Sequence, residues 1–186
     1  MKALIISDKD YQTKEYENID RLLHSYFAEK GFETEETQIG RNELAFCMGC
    51  FGCWIKKPGE CVIGDSMAAL NSREMNSDVV IFLSPVVFGQ FSANIKNAVD
   101  RWLPNMLPFF TTRKDGSTMH PPRYDDYPKQ IMIGYGDDLS ERDGQLFSDI
   151  TKKHRSNVEV LIWRGNNEEM TEALGKTELK RVSGAL

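Results

Sequence analysis

The sequence predicts an α/β fold, a parallel sheet covered by helices on both faces. Three observations carry this reading. Short apolar runs recur along the chain, stretches with helical spacing lie between them, and the strongest run, Val79–Leu83, is apolar at every position. A strand apolar on both faces belongs at the centre of a parallel sheet, where helices cover both sides.

The elements follow in order. Lys2–Ile6 reads as a buried first strand. Ile19, Leu22, Leu23, Tyr26 and Phe27 recur at helical spacing, and Gly31 stops that helix. Phe32–Ile39 is a weaker, polar strand suited to a sheet edge. Asp65 caps a helix containing Met67 and Leu70. The central strand, Asp78–Leu83, is ended by Ser84-Pro85. Ile95, Val99 and Trp102 then set the next helix against the sheet, and Gln130–Gly134 is a further strand. Ser140 with Asp143 forms a capping box, opening a helix that turns Leu146, Phe147 and Ile150 inward. Val158–Trp163 is the fifth strand, and a last helix runs from Asn167 towards Val182. Five strands in 186 residues fit a three-layer, flavodoxin-like sheet in the order 2-1-3-4-5, as a single domain over 1–186. Such sheets bind ligands at the carboxyl ends of their strands, which draws attention to the loops after Ile6, Leu83 and Gly134.

One stretch exceeds a compact connection. Residues 104–129 hold five prolines and several aromatics. An insertion of this length is a lid, an interface or a surface excursion. Phe109, Phe110, Tyr124 and Tyr127 either join a dimer surface or are covered by the insertion itself.

Composition narrows the function. With 40% hydrophobic and 27% charged residues, the chain is globular and not disordered. A net charge of −5 argues against a nucleic-acid or anionic-membrane surface. No apolar run approaches a membrane span or a secretory core, so a cytoplasmic, thiol-reducing setting is expected. No G-x-S-x-G elbow, P-loop or H-E-x-x-H motif is present, and His24, His120 and His154 are far apart. Arg101, Arg113, Lys114 and Arg123 flank the insertion as scattered surface bases, with attraction of nicotinamide phosphates as the functional alternative.

All four cysteines lie in one segment, Cys47-x2-Cys50-x2-Cys53-x7-Cys61. Three cysteines at successive x2 intervals match iron–sulfur ligand runs. Pro58-Gly59 offers the turn that returns the fourth, and Gly49 and Gly52 let the backbone fold tightly. Zinc, a dithiol switch and inert buried thiols stay open as alternatives.

Cys47-Met48-Gly49-Cys50-Phe51-Gly52-Cys53-Trp54, Cys61-Val62-Ile63 and Asp65-Ser66-Met67 resemble the middle of NADPH-dependent FMN reductase-like flavoproteins, of which the iron–sulfur flavoproteins are a branch. Ser84-Pro85-Val86-Val87-Phe88-Gly89-Gln90-Phe91-Ser92-Ala93, with Lys96 and Asp100-Arg101, resembles the second loop and helix of the same family. The resemblance implies FMN and a reduced nicotinamide, NADH or NADPH, as electron donor. It places Pro85, Val86, Val87, Phe88, Gly89 and Gln90 along the flavin ring, with Gly134, Tyr135 and Gly136 approaching from the next strand. It further implies a homodimer or homotetramer.

The first loop departs from the family pattern. A Gly-Ser-Pro-Arg-like stretch and a Gly-Asn-Thr-like helix start usually cradle the FMN phosphate. Here Asp8 stands for the glycine, Lys9 for the serine and Ile19 for the threonine; Asn18 is kept, and Ser7 offers a hydroxyl. From Asp8 to Asp20 five carboxylates face two lysines, a local charge of −3. Three functions follow as expectations. The first is an FMN-dependent NAD(P)H oxidoreductase passing electrons to a flavin, quinone or other small acceptor. The second is an electron carrier with a [4Fe-4S] cluster on the cysteines and a ferredoxin-like partner. The third is a non-catalytic module that has lost FMN. No catalytic side chain is named, since the flavin would do the chemistry.

Overall fold

The computed structural model describes residues 1–155 and 158–184. Five parallel strands, β1 (Lys2–Asp8), β2 (Glu33–Ile39), β3 (Val79–Val87), β4 (Lys129–Tyr135) and β5 (Val158–Ile162), run in the order β2-β1-β3-β4-β5. This is the expected order. The sheet has one addition, a two-residue strand Gln90–Phe91 that folds back antiparallel on the end of β3.

Side chains alternate across the pleat and so feed two cores. Ala3, Ile5, Val79, Ile81, Leu83, Ile131 and Ile133 face α1 (Lys14–Glu29) and the last helix, Asn167–Gly175. Leu4, Ile6, Val80, Phe82 and Met132 face the other side, against α2 (Met67–Met75), α3 (Ala93–Asp100) and α4 (Glu141–His154). The Asn167–Gly175 helix is α5. Polar caps fix where the helices begin. The Thr13 hydroxyl accepts from Tyr16 N, Ser92 from Ile95 N and Ser140 from Asp143 N, while Asp65 Oδ1 accepts from Met67 N as its position predicted.

The structure corrects four expectations. Ser84-Pro85 does not end β3: both pair in parallel register with Gly134 and Tyr135, and Val86-Val87 turn back onto Gln90-Phe91. The last helix stops at Gly175, well short of Val182, and Val182–Ser183 instead forms a strand on Asp126–Tyr127. Arg181 anchors that tail by donating to Met75 O and Ser77 O and pairing with Asp126. Leu146 does not turn fully inward but is 40% exposed, lying over Gly89. Of the four bases around the insertion, Arg101 and Arg123 are not scattered surface charges. Arg101 is fully buried, and Arg123 donates to Pro104 O and Met106 O.

The insertion forms a 3-10 turn at Leu103–Asn105, a short hairpin of Thr111–Thr112 with Thr118–Met119, and the strand that pairs with the tail. Tyr127 is buried at its base; its hydroxyl donates to Asn105 O and accepts from Arg123 N and Tyr124 N. Phe109 and Phe110 remain exposed.

A polar cluster is enclosed beneath the α2–α4 side of the sheet. Arg155 donates to Gln130 Oε1 and Val99 O, and its guanidinium lies 4.5 Å from the Trp102 ring centroid. Glu74 is buried there with neither carboxyl oxygen hydrogen-bonded. The Trp102 indole lies close enough to favour its anion but outside hydrogen-bond geometry. Burial pushes the Glu74 carboxyl up to about 8, against the opposing pull of Arg155.

Candidate functional site

The chain leaves β1 for β2 on one side and returns to β3 on the other, so the sheet has its switch point between β1 and β3. Ligands of open α/β sheets bind in the crevice at the carboxyl ends of such strands. The three predicted loops meet there.

On the β3 side, Val87-Phe88-Gly89-Gln90 is a two-residue turn between antiparallel arms. Phe88 (φ 50°) and Gly89 (φ 72°) both adopt left-handed backbone, the signature of a type I′ turn. Neither Phe88 N nor Gly89 N has a backbone acceptor among the described residues. Phe88 is 92% exposed beside them. Gly89 is required twice over, by its φ and because a Cβ would lie 2.5 Å from Leu146 Cδ2. Pro85 is buried, Val86 and Val87 are half-buried, and Gln90 is exposed.

On the β4 side, Gly134 and Tyr135 are buried. A Cβ on Gly134 would meet Val86 and Phe147, so this glycine lets β3 and α4 close on the strand. Tyr135 donates its hydroxyl to Tyr11 O and thereby ties β4 to the loop after β1; burial raises its hydroxyl pKa. Gly136 borders a cleft shared with Glu15, Trp163 and Gly165.

The β1 side is different. Ser7 is buried and its hydroxyl donates to Glu36, not towards the crevice. Asn18 lies half-buried in α1, five residues beyond the Thr13 cap. Asp8 is fully buried, and its carboxylate accepts from Ser92 Oγ (2.5 Å), Asn94 Nδ2 (2.9 Å) and Asp10 N (2.9 Å). Asp10 accepts from Asn94 Nδ2 and Arg41 N. Lys9 turns outward to Glu43 at 2.8 Å. Glu15, in the first turn of α1, accepts from Trp163 Nε1. The β3 side of the crevice thus carries N–H groups without backbone acceptors among the described residues, while the first loop spends its donors on its own carboxylates. Neither Asp8 nor its partners Ser92 and Asn94 had been singled out as a bonded unit in the sequence. Only the acidic character of the loop was legible.

The cysteine segment is held by different chemistry. Phe51 (φ 54°) precedes a single-turn helix, Gly52–Ile55. Gly52 lets the returning arm lie on that helix, since a Cβ there would sit 2.7 Å from Val62 Cγ2. Pro58-Gly59 forms the predicted turn, closed by Glu60 N donating to Lys57 O. Cys47 and Cys50 are exposed, Cys61 is half-buried and Cys53 is buried. Burial, and then Cys61, Cys47 and Cys50 around it, push the Cys53 thiol up. Arg101 donates from Nη2 to Cys61 Sγ (3.1 Å) and from Nη1 to Ala45 O and Asp65. Burial alone would raise the Asp65 carboxyl, but Arg101 and the N–H groups of Ala45 and Met67 outweigh it and hold it below the usual range. A buried guanidinium at a cysteine sulfur suits a ligand set that carries negative charge. No three cysteine sulfurs lie within 4.8 Å of one another; among the described residues the one such group of metal-type donors is Asp20, His24 and Glu36.

The insertion roofs this segment. Trp54 stacks on Phe51, donates its indole N–H to Leu103 O and Met106 O, and packs on His120, which packs on Phe110. Nothing in the spacing of residues 104–129 signalled that contact.

An iron-sulfur flavoprotein of Archaeoglobus fulgidus is 36% identical to this chain over 94 residues, 49% of the chain and 42% of that protein. The chain therefore matches less than half the length of this relative. Two solved structures share the fold. The NAD(P)H:quinone oxidoreductase of Methanothermobacter marburgensis has a TM-score of 0.63 at 13% identity, over 95% of this chain and 92% of that one. An FMN-dependent NADH-azoreductase of Bacillus anthracis, solved with FMN, has a TM-score of 0.59 at 11% identity, over 94% and 98%. At such identities these two speak for the fold alone. The family model described as NADPH-dependent FMN reductase matches residues 1–111, which take in β1 to α3, all four cysteines and the Phe88-Gly89 turn; the chain belongs to the NADPH-dependent FMN reductase family.

Proposed function

We propose that this chain is a flavin-dependent NAD(P)H oxidoreductase, with FMN as the family's flavin and a flavin, quinone or other small molecule as acceptor. The observation that carries this is the Phe88-Gly89 turn, with two N–H groups lacking backbone acceptors among the described residues at the switch point of a family-matched sheet. When bound, a flavin would supply hydride acceptance from a reduced nicotinamide and electron delivery to the acceptor. The protein's part is positioning. The turn offers donors to ring carbonyls, Gly134 keeps β4 close behind it, and Phe88 offers an apolar surface to the ring. Purified protein mixed with flavin should bind it, shift its visible spectrum and oxidise NADH or NADPH when an acceptor is added. Absence of any flavin binding would overturn this reading.

The cysteine segment supports a second function, electron transfer through a cluster held by Cys47, Cys50, Cys53 and Cys61. Arg101 at Cys61 and the similarity to an iron-sulfur flavoprotein favour it. Protein prepared without oxygen should contain iron and acid-labile sulfide, both lost in Cys50→Ser; zinc without iron would refute it. Exposed Phe46, Met48, Phe51, Ile55, Phe109 and Phe110 surround this segment and suit a protein partner, a ferredoxin-like carrier or a second copy of the chain. No helix among the described residues is long and apolar enough to cross a membrane.

A further inference from the structure

Resting on the flavin reading above, we infer that this chain grips a flavin by its ring and not by its phosphate, because its own Asp8 carboxylate fills the anion position of the switch-point crevice. Phosphates in α/β sheets settle at that crevice on loop donors and helix N-termini. Here Asp8 ends β1, and its partners Ser92 and Asn94 are the N-cap and first turn of α3, which follows β3. One fully buried carboxylate therefore links the end of β1 to the start of α3, and it already takes the donors a phosphate would seek: a serine hydroxyl, an amide and a backbone N–H.

The rest of the loop is committed in the same way. The second amide hydrogen of Asn94 goes to Asp10, Gln12 Nε2 donates to Asp8 O, and the Ser7 hydroxyl goes to Glu36. Three cations border the loop: Lys14, exposed at the start of α1, Arg41, exposed and donating its backbone N–H to Asp10, and Arg164, exposed and donating to Leu139 O. The carboxylates of Asp8 and Asp10 occupy this loop, and Glu15 stands beside it in the first turn of α1. Like charges at such separations oppose binding, so the phosphate adds nothing to affinity. FMN and riboflavin become equivalent ligands, and the flavin exchanges as a co-substrate does.

The test is titration of riboflavin and of FMN into the full chain, read by quenching of flavin fluorescence. The two dissociation constants should agree within about threefold, whereas a phosphate grip would separate them by about tenfold or more. Asp8→Asn removes the charge and keeps the hydrogen-bonding shape; it should tighten FMN about tenfold and leave riboflavin within about threefold. Wild-type protein that binds FMN tenfold tighter than riboflavin would overturn the inference and leave the flavin reading standing. An unchanged FMN-to-riboflavin ratio in a folded Asp8→Asn would also overturn it. Binding of neither flavin overturns both. The wild-type ratio needs no variant, so a misfolded Asp8→Asn does not shield the inference.

Discussion

Glu74 and Arg101 are both buried charges, with opposite consequences. Glu74 has no hydrogen-bond partner, and its carboxyl is raised from 4.5 to about 8 by burial. The unfolded chain loses that proton near its ordinary value while the folded chain keeps it, so rising pH favours unfolding across that window. The stability it contributes is complete below about pH 4.5, falls as pH rises and is gone above about 8. Glu74→Gln cannot titrate. Its urea midpoint should gain steadily on wild type between pH 5 and 8; parallel profiles would refute the assignment. Arg101, by contrast, donates from both terminal nitrogens, to Asp65, Ala45 O and Cys61, and only its buried Nε lacks a partner among the described residues. Arg101→Leu leaves the Asp65 carboxylate without its cation, and such losses cost about 3–5 kcal/mol. Urea unfolding should show that loss. Arg101 was written in the sequence as one base among several. Its burial depends on α3 ending beside the cysteine segment, a long-range fact that spacing does not record.

The elements divide by what fixes them. The five parallel strands and the helix starts were legible because burial imposes a period of two on strands and hydroxyl or carboxylate caps mark helix entry. Element ends were less legible. Ser84-Pro85 reads locally as a break, yet Pro85 sits where β3 can do without one ladder donor. The helix expected to reach Val182 stops because the tail finds a strand partner in the insertion. Two glycines show how turns set the site. In Gly52→Ala the new methyl collides with Val62, an overpacking cost of about 1–3 kcal/mol, and Val62→Ala in the same chain should recover most of it. In Gly89→Ala the methyl collides with Leu146 and the residue must also keep φ +72°. There Leu146→Ala should restore only part of the loss, leaving about 1 kcal/mol of backbone strain. Thermal melts of the two double variants distinguish the cases.

At the scale of the molecule, a sheet whose order could be read from five apolar runs carries an insertion whose placement could not. Residues 104–129 are held by contacts with no periodic signature: Arg123 on the carbonyls of Pro104 and Met106, Trp54 on those of Leu103 and Met106, and the tail strand on Tyr127. Arg181→Ala removes the donors to Met75 O, Ser77 O and Asp126. It should cost about 1–3 kcal/mol, and hydrogen exchange should quicken around Asp126–Tyr127 while β1 and β3 stay protected. Equal quickening throughout would mean that the tail supports the whole sheet. The same pairing has a temporal side. Tyr127 must wait for its paired residue Val182, which follows by 55 residues. On the ribosome the sheet acquires its fifth strand before the insertion acquires its clasp. The insertion that holds Trp54 is therefore the last part to be fastened, and a nascent chain passes through an interval in which the sheet is complete and the cysteine segment still lacks that support.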